Sequence, residues 1–280
     1  MSPAAFRAWR SEGGEVIAHR GGIPLDDRGF RYGQHLFESL AVRRGAVLLG
    51  REHLESLKAA AVRKGIPFSR SLDASLRAFL RSVKLPEGML RIYLTAGTGA
   101  PAAPVLRPGC YLTWEAIRFP SEADLARGYR LVTLKRLPAV TAWGEKSGNY
   151  EGHLDALATA RKAVADEGIV LDEKGRVISC AMGNLLVWLP ARSGPVLCTP
   201  PAALGARSGS LLEWVRRRMK VRERVLTVAD LRRAVAIAVT NSRIGVMPVA
   251  LLDGKQLPDR FPSLALALDY LRFHGLYGAA

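Results

Sequence analysis

One lysine stands apart in this chain. Lys146 sits in the run Trp143-Gly144-Glu145-Lys146-Ser147-Gly148-Asn149-Tyr150, among small and polar neighbours and with no run of basic residues beside it. That setting does not suit an electrostatic patch. An amine held in a partly dry site has a lowered pKa and can condense with an aldehyde or ketone. Beyond it the sequence reads as a helix, about His153 to Glu167, then as an apolar strand, Ile169-Val170-Leu171. A turn, Asp172-Glu173-Lys174-Gly175, leads to the strand Arg176-Val177-Ile178-Ser179, and Met182-Gly183-Asn184 opens the run Leu185-Leu186-Val187-Trp188. A second candidate is the stretch Gly205 to Gly209 ahead of the helix Ser210 to Val221. A glycine-rich loop opening a helix offers backbone N–H groups and a positive dipole end to a phosphate.

The elements that must position these groups are legible in outline. Gly14 to Ala18 reads as a first strand and Gly21 to Leu25 as the turn beyond it. Asp27-Arg28-Gly29-Phe30-Arg31-Tyr32-Gly33 reads as a glycine turn feeding the buried strand Leu36 to Val42. Arg44-Gly45 makes a hairpin turn, with Val47 to Leu49 returning. Arg51 to Arg63 is an amphipathic helix with His53, Leu54, Leu57 and Ala61 on one face, and His53 reads as a packed core histidine. Ser71 to Val83 is a second helix, with Ser71 and Asp73 near its start. Met89 to Thr95 and Cys110 to Glu115 are strands around a Gly/Pro/Ala-rich excursion, and the apolar period lapses at Phe119-Pro120-Ser121. The expected division is therefore 1–119 and 120–280. In the second part Tyr129 to Thr133 and Val196 to Thr199 read as strands and Thr227 to Leu231 as a short capped helix. Ala236 to Val249 reads as two strands around the turn Asn241-Ser242-Arg243.

Composition narrows the class. The 280 residues are 49% hydrophobic and 24% charged, as in soluble globular proteins, with length for one large domain or two modest ones. No stretch of about 18 uninterrupted apolar residues occurs, so no membrane helix is expected. The first twelve residues lack the apolar core of a secretory signal. Cys110, Cys180 and Cys198 show no metal-ligand spacing, so no metal is expected and a reducing, cytoplasmic setting is. The net charge of +16 comes from scattered arginines without an interleaved aromatic groove, which reads as a solvated basic surface with no nucleic-acid partner.

The ordered motifs resemble the class IV, or fold type IV, pyridoxal-phosphate (PLP) enzymes. That family includes aminodeoxychorismate lyases and the branched-chain and D-amino-acid aminotransferases. Lys146 to Asn149 matches its K-x-x-N, Asp172 to Val177 its D-x-x-G-x-V, and Thr240 to Val249 its T-N-S-x-x-G-V-x-P-V; Asp27 to Val42 matches its D-R-G-F-x-Y-G-D-x-x-F-E-x-x-x-V, with Gln34 in place of the Asp after Gly33. The resemblance implies an α/β, α+β two-domain fold, with a smaller N-terminal domain and a larger C-terminal one built on a barrel-like mixed sheet. It places the cofactor lysine and the phosphate seat in the C-terminal domain, and it implies a homodimer. It makes Lys146 the Schiff-base lysine and proton shuttle, with Tyr150, Ser179 and Asn184 beside the cofactor. The phosphate would lie on the amides of Ser210 and Leu211 and on Asn241 and Ser242. Tyr32, Glu38 and Arg91 would face an amino-acid-like or carboxylated substrate.

Two departures bear on the chemistry. Ser56 stands where the family has a phosphate-binding arginine, so Arg207 or Arg243 is the candidate substitute. Ser179 stands where the family has the glutamate that keeps the ring nitrogen protonated. A hydroxyl there is what fold type II enzymes often use, and those favour β-elimination. The leading expectation is a lyase of the aminodeoxychorismate type, a folate-biosynthesis step releasing pyruvate and 4-aminobenzoate. The alternatives are a class IV amino-acid transaminase, and a homologue that does not use PLP and is a binding protein or does other chemistry in the same cleft.

Overall fold

The computed structural model describes residues 6–134 and 146–276, and the chain divides into two compact units. Trp143, Gly144 and Glu145 of the lysine run lie outside the described residues. The first unit takes residues 6–118 together with 146–149, the second 119–134 and 150–276.

The first unit contains β1 (Phe6–Glu12), β2 (Glu15–Ala18), α1 (Arg28–Tyr32), β3 (His35–Arg43), β4 (Ala46–Val47), α2 (Gly50–Arg63), α3 (Arg70–Ser82), β5 (Gly88–Thr95) and β6 (Gly109–Glu115). Its strands form one sheet in the order β2-β1-β6-β5-β3-β4, paired antiparallel throughout. Side chains alternate across a strand. Leu36, Leu40, Leu90, Ile92, Leu94, Leu112 and Trp114 therefore share one face, and with Leu54, Leu57, Ala61 and Leu76 of the helices they make the core. The expected turn at Asp27 is a short helix instead. Asp27 caps it by accepting the Gly29 N–H at 2.6 Å while also accepting the Thr95 hydroxyl at 2.7 Å. Arg28, 1% exposed, donates to the carbonyls of Ala96, Ala100 and Ala103, so the glycine-rich excursion after β5 is folded around its guanidinium. Strand β1 was not expected. It forms because Gly13 and Gly14, both at positive φ, close a hairpin with β2. Helix α3 starts at Arg70 with Ser69 as its cap, ahead of the expected Ser71.

The second unit contains α4 (Glu122–Arg127), β7 (Tyr129–Thr133), α5 (Glu151–Lys162), β8 (Glu167–Leu171), β9 (Val177–Cys180), β10 (Asn184–Leu189) and β11 (Val196–Thr199). After them come α6 (Ser210–Arg216), β12 (Arg222–Glu223), α7 (Val228–Arg232), β13 (Ala236–Asn241), β14 (Gly245–Leu252), β15 (Lys255–Gln256) and α8 (Phe261–Phe273). The sheet runs β12-β11-β10-β13-β14-β7-β8-β9, with β15 on β14, and it is mixed: β7 pairs parallel with both β8 and β14. Strand β10 is buried along its whole length, as its continuous apolar run requires. Helix α5 ends at Lys162, short of the expected Glu167. Val164 adopts a left-handed φ of 57°, and Glu167 instead begins β8. Helix α6 is likewise shorter than expected, and α4 and α8 were not anticipated. Among the described residues no helix is long and apolar enough to cross a membrane, and no cluster of His, Cys, Asp and Glu could hold a metal ion.

Candidate active site

Lys146 belongs to the first unit because its backbone docks on that sheet. Phe37 N–H donates to the Lys146 carbonyl at 2.8 Å, Gly148 N–H donates to the His35 carbonyl at 2.9 Å, and Leu36 and Ser147 form an antiparallel bridge. The 146–148 segment thus lies along the edge of β3 opposite β5. The resemblance put Lys146 in the C-terminal domain; these hydrogen bonds dock its segment on the N-terminal sheet. Its Nζ lies 5.1 Å from the centroid of Phe37, which stacks on Tyr93, and Arg91 shares this sheet face by register. Arg91 is half-buried and held by Glu115 at 2.5 Å. Tyr32 is 48% exposed, with the Arg31 guanidinium over its ring.

The docking needs Gly148. A β-carbon there would lie 2.5 Å from the Gly33 carbonyl oxygen and 2.5 Å from the His35 ring. Gly148→Ala is therefore expected to destabilise the fold by about 1–3 kcal/mol through overpacking. It should also lower turnover about tenfold by displacing the lysine. Denaturant unfolding and initial rates measure both; no change in either would mean that the edge docking does not position Lys146.

Glu38 requires a correction. It was expected to face the substrate, but it follows Phe37 on β3 and so points to the opposite face, among Leu36 and Leu40. Its carboxylate is 6% exposed, bonded to His53 Nδ1 at 2.7 Å and to the Ser56 hydroxyl at 2.9 Å. His53 is a core residue, as expected. Ser56, standing where the family has a cation, thus donates to a buried carboxylate.

In the second unit the D-x-x-G turn is structural. Asp172 Oδ1 accepts the N–H groups of Lys174 and Arg176, Oδ2 accepts Arg176 Nε at 2.6 Å, and Gly175 takes a φ of 73°. Partial burial would raise the Asp172 pKa, but these donors outweigh it and hold the carboxyl below its usual range. The turn returns the chain to β9 and to the loop 180–183. Ser179 donates its hydroxyl to the Cys180 carbonyl at 2.6 Å, with the Gly183 carbonyl at 3.3 Å. Tyr150 stacks on His153 at 4.4 Å, and His153 Nδ1 lies 2.6 Å from the Ala181 carbonyl. A carbonyl only accepts, so Nδ1 carries the proton.

Asn184 donates to the Arg207 carbonyl, and a β-carbon at Gly209 would collide with its Oδ1. The segment before α6 therefore closes on Asn184 because position 209 lacks a side chain. The first bond of the α6 ladder runs from Glu213 N–H to the Gly209 carbonyl, so the preceding amides at Ser210, Leu211 and Leu212 face outward from the helix. Asn241 is committed differently than expected. Its Oδ1 accepts the N–H groups of Arg243 and Ile244, and its Nδ2 donates to the Met182 carbonyl at 3.3 Å. Its side chain thus builds the turn itself. Arg243 is exposed and Arg207 half-buried.

Sequence reasoning missed Glu167. It is 3% exposed, and burial pushes its pKa up to about 7 despite backbone donors at Gly168, Met182 and Ala181. The signal was available: an acid followed by Gly168, where the helical pattern gives way to Ile169-Val170-Leu171.

Each unit carries groups of the kinds PLP uses. The first has the Lys146 amine, with the neutral Ser56 where the resemblance expects a cation. The second has the Tyr150 phenol held by His153 and the backbone amides ahead of α6, which suit a phosphate.

The profile of amino-transferase class IV matches residues 35–252. A candidate branched-chain-amino-acid aminotransferase of Methanocaldococcus jannaschii is 29% identical over 251 residues, 85% of each chain. A bifunctional aminodeoxychorismate lyase/D-amino acid transaminase of Mycobacterium tuberculosis is 27% identical over 272 residues, 88% of this chain and 91% of that one. The crystal structure of 4-amino-4-deoxychorismate lyase from Pseudomonas aeruginosa superposes with a TM-score of 0.80 at 27% identity, covering 96% of this chain and all of that one.

Proposed function

Because the chain belongs to the class IV aminotransferases, a PLP-dependent family of fold type IV, we propose that it is a lyase of the aminodeoxychorismate type. It would eliminate pyruvate from its substrate and leave 4-aminobenzoate. The observation that carries this reading is Ser179, a neutral hydroxyl bonded to the Cys180 carbonyl where the family has an acid.

When bound, the cofactor supplies an electron sink for charge developing at the substrate α-carbon. The chain's own groups do the rest. The Lys146 amine would hold the cofactor and would be the group that moves the proton at the substrate α-carbon. Arg91, braced by Glu115, offers a forked cation to a substrate carboxylate. Tyr150, fixed by the His153 stack, orients the cofactor ring. The amides at Ser210 and Leu211 hold phosphate, with Asn184 closing the segment before them. Ser242 stays assigned to the phosphate with its neighbour Asn241, whose side chain contributes by shaping the turn. Ser179 is neutral, with its proton engaged by the Cys180 carbonyl, so it would be less able than a carboxylate to hold a proton on the cofactor ring nitrogen. That favours expelling a leaving group over completing a transamination.

Ser179→Glu is expected to shift the ratio of keto-acid exchange to pyruvate release about tenfold toward exchange, an effect of ~1.4 kcal/mol. Assaying both products on purified protein measures it, and an unchanged ratio in a variant that takes up cofactor would remove Ser179 from reaction choice. Transamination itself remains the alternative within the family. A second reading, a homologue that does not use PLP, is favoured by Ser56, whose hydroxyl donates to the Glu38 carboxylate where a phosphate cation is expected. Mixing the protein with PLP separates the two: a visible absorption band supports the enzyme, and its absence supports the other. We further assign the chain as a cytoplasmic homodimer, with exposed Leu25 and Phe30 as candidates for subunit contact and its three cysteines buried and reduced. Light scattering at micromolar concentration tests this, and a monomeric mass would refute it.

A further inference from the structure

The sheet of the first unit has two faces of different character. The apolar residues of β3, β5 and β6 on one face pack with those of α2 and α3 into the core. The residues between them point the other way and are half-buried. Strand register fixes their order on that second face. Phe37 pairs with Tyr93, and two residues along, Ser39 pairs with Arg91 and Arg91 with Thr113.

Three kinds of group therefore meet on this face. The Phe37 and Tyr93 rings lie 6.0 Å apart and 29° from parallel, and the His35 ring meets Tyr93 edge-on at 6.2 Å. The Lys146 amine is 5.1 Å from the Phe37 centroid. Arg91 stands one two-residue step from Tyr93 on β5, about 7 Å by the rise of a strand, with its guanidinium braced by Glu115. That step is close to the span from an amine to a carboxylate across a para-substituted benzene ring.

The chemistry of these groups discriminates between ligands. A flat unsaturated ring meets an aromatic side chain through its quadrupole as well as through contact area, whereas a puckered saturated ring gains the area alone. A guanidinium takes a carboxylate through two parallel hydrogen bonds, which fixes the direction in which the ligand lies.

We propose that Tyr93, stacked on Phe37, is the specificity-determining residue that selects a flat unsaturated ring in the substrate, with Arg91 taking a carboxylate across that ring from the reacting amine. For the reaction itself this rests on the lyase reading above, but the ring platform belongs to the first unit and binds without cofactor. An aliphatic amino acid presents no π face and gains nothing from Tyr93 beyond contact. Substrate choice is then made on the N-terminal sheet, while Ser179 bears on reaction choice.

The test uses the full-length protein without cofactor and two probes, 4-hydroxybenzoate and trans-4-hydroxycyclohexanecarboxylate. Both carry one carboxylate and a para hydroxyl, and they differ in the flatness of the ring. Titration calorimetry is expected to show the flat probe bound about fivefold tighter, as one aromatic pair supplies. Tyr93→Leu should bring the two affinities within about twofold, and Tyr93→Phe should keep the preference. Arg91→Met should weaken both probes about tenfold. Arg10→Met removes a cation from the same face two strands from Tyr93 and should change neither affinity. Equal affinities in the wild type, no binding of either probe at millimolar concentration, or a preference kept in Tyr93→Leu would overturn the proposal. A loss in Arg10→Met as large as that in Arg91→Met would overturn the carboxylate assignment. The wild-type comparison needs no substitution, so it decides the matter even if a variant fails to fold. Failure of the lyase reading shows separately, as PLP-loaded protein that releases no pyruvate while the ring preference is intact.

Discussion

Replacing Lys146 with alanine is expected to abolish the visible band of PLP-loaded protein and to cut turnover by ~10³-fold or more, since both covalent attachment and proton transfer are lost. The fold should survive. What docks this segment on β3 is its backbone, through Phe37 N–H and the His35 carbonyl, and alanine keeps both bonds. The contact of the side-chain ammonium with the Phe37 ring is worth about 0.5–1 kcal/mol at a part-exposed site. Thermal unfolding should therefore move little while chemistry stops. A variant that turns over at the wild-type rate would take Lys146 out of the mechanism.

The pH dependence of stability should carry a mark of Glu167. Its carboxyl titrates near its ordinary 4.5 when unfolded and at about 7 when folded, because burial opposes its charge. Below 4.5 both states hold the proton and the group costs nothing. As pH rises from 4.5 to 7 the unfolded chain releases its proton first, so stability falls, and above 7 the loss levels off at roughly 3 kcal/mol by proton linkage. Asp166, Asp172 and Asp230 act in the opposite sense. Each is held below its usual range, burial pulling one way and stronger hydrogen bonds the other, so their stabilisation is lost only under more acidic conditions. In Glu167→Gln the fall between 4.5 and 7 should flatten, and urea titrations of both proteins across that range decide it. Parallel curves would show that Glu167 does not titrate there.

How much of this was legible beforehand varied with the physical signal. The Asp172 turn and the strands after it were legible because a short motif and continuous apolar runs fix them locally. Glu38 was misplaced by resemblance although the alternation was correct: Leu36, Glu38 and Leu40 share one parity and so one face. Glu167 was lost to a helix carried too far, since helical spacing does not announce where Val164 turns left-handed. Helix α8 is apolar almost all round and gives no amphipathic period, and α4 is six residues long, visible only in the capping box of Ser121 and Asp124. The commitment of the Asn241 side chain to its own turn is a tertiary fact that no local pattern carries.

The docking of 146–148 on β3 also has a consequence for solubility. A strand edge left open invites pairing with another chain, and the backbone at His35 and Phe37 would be such an edge were the lysine segment to lift away. The segment that presents the amine is thus also what screens a hydrophobic strand from intermolecular growth. Substitutions at Gly148 that loosen the segment are expected to promote aggregation as well as to lower the rate.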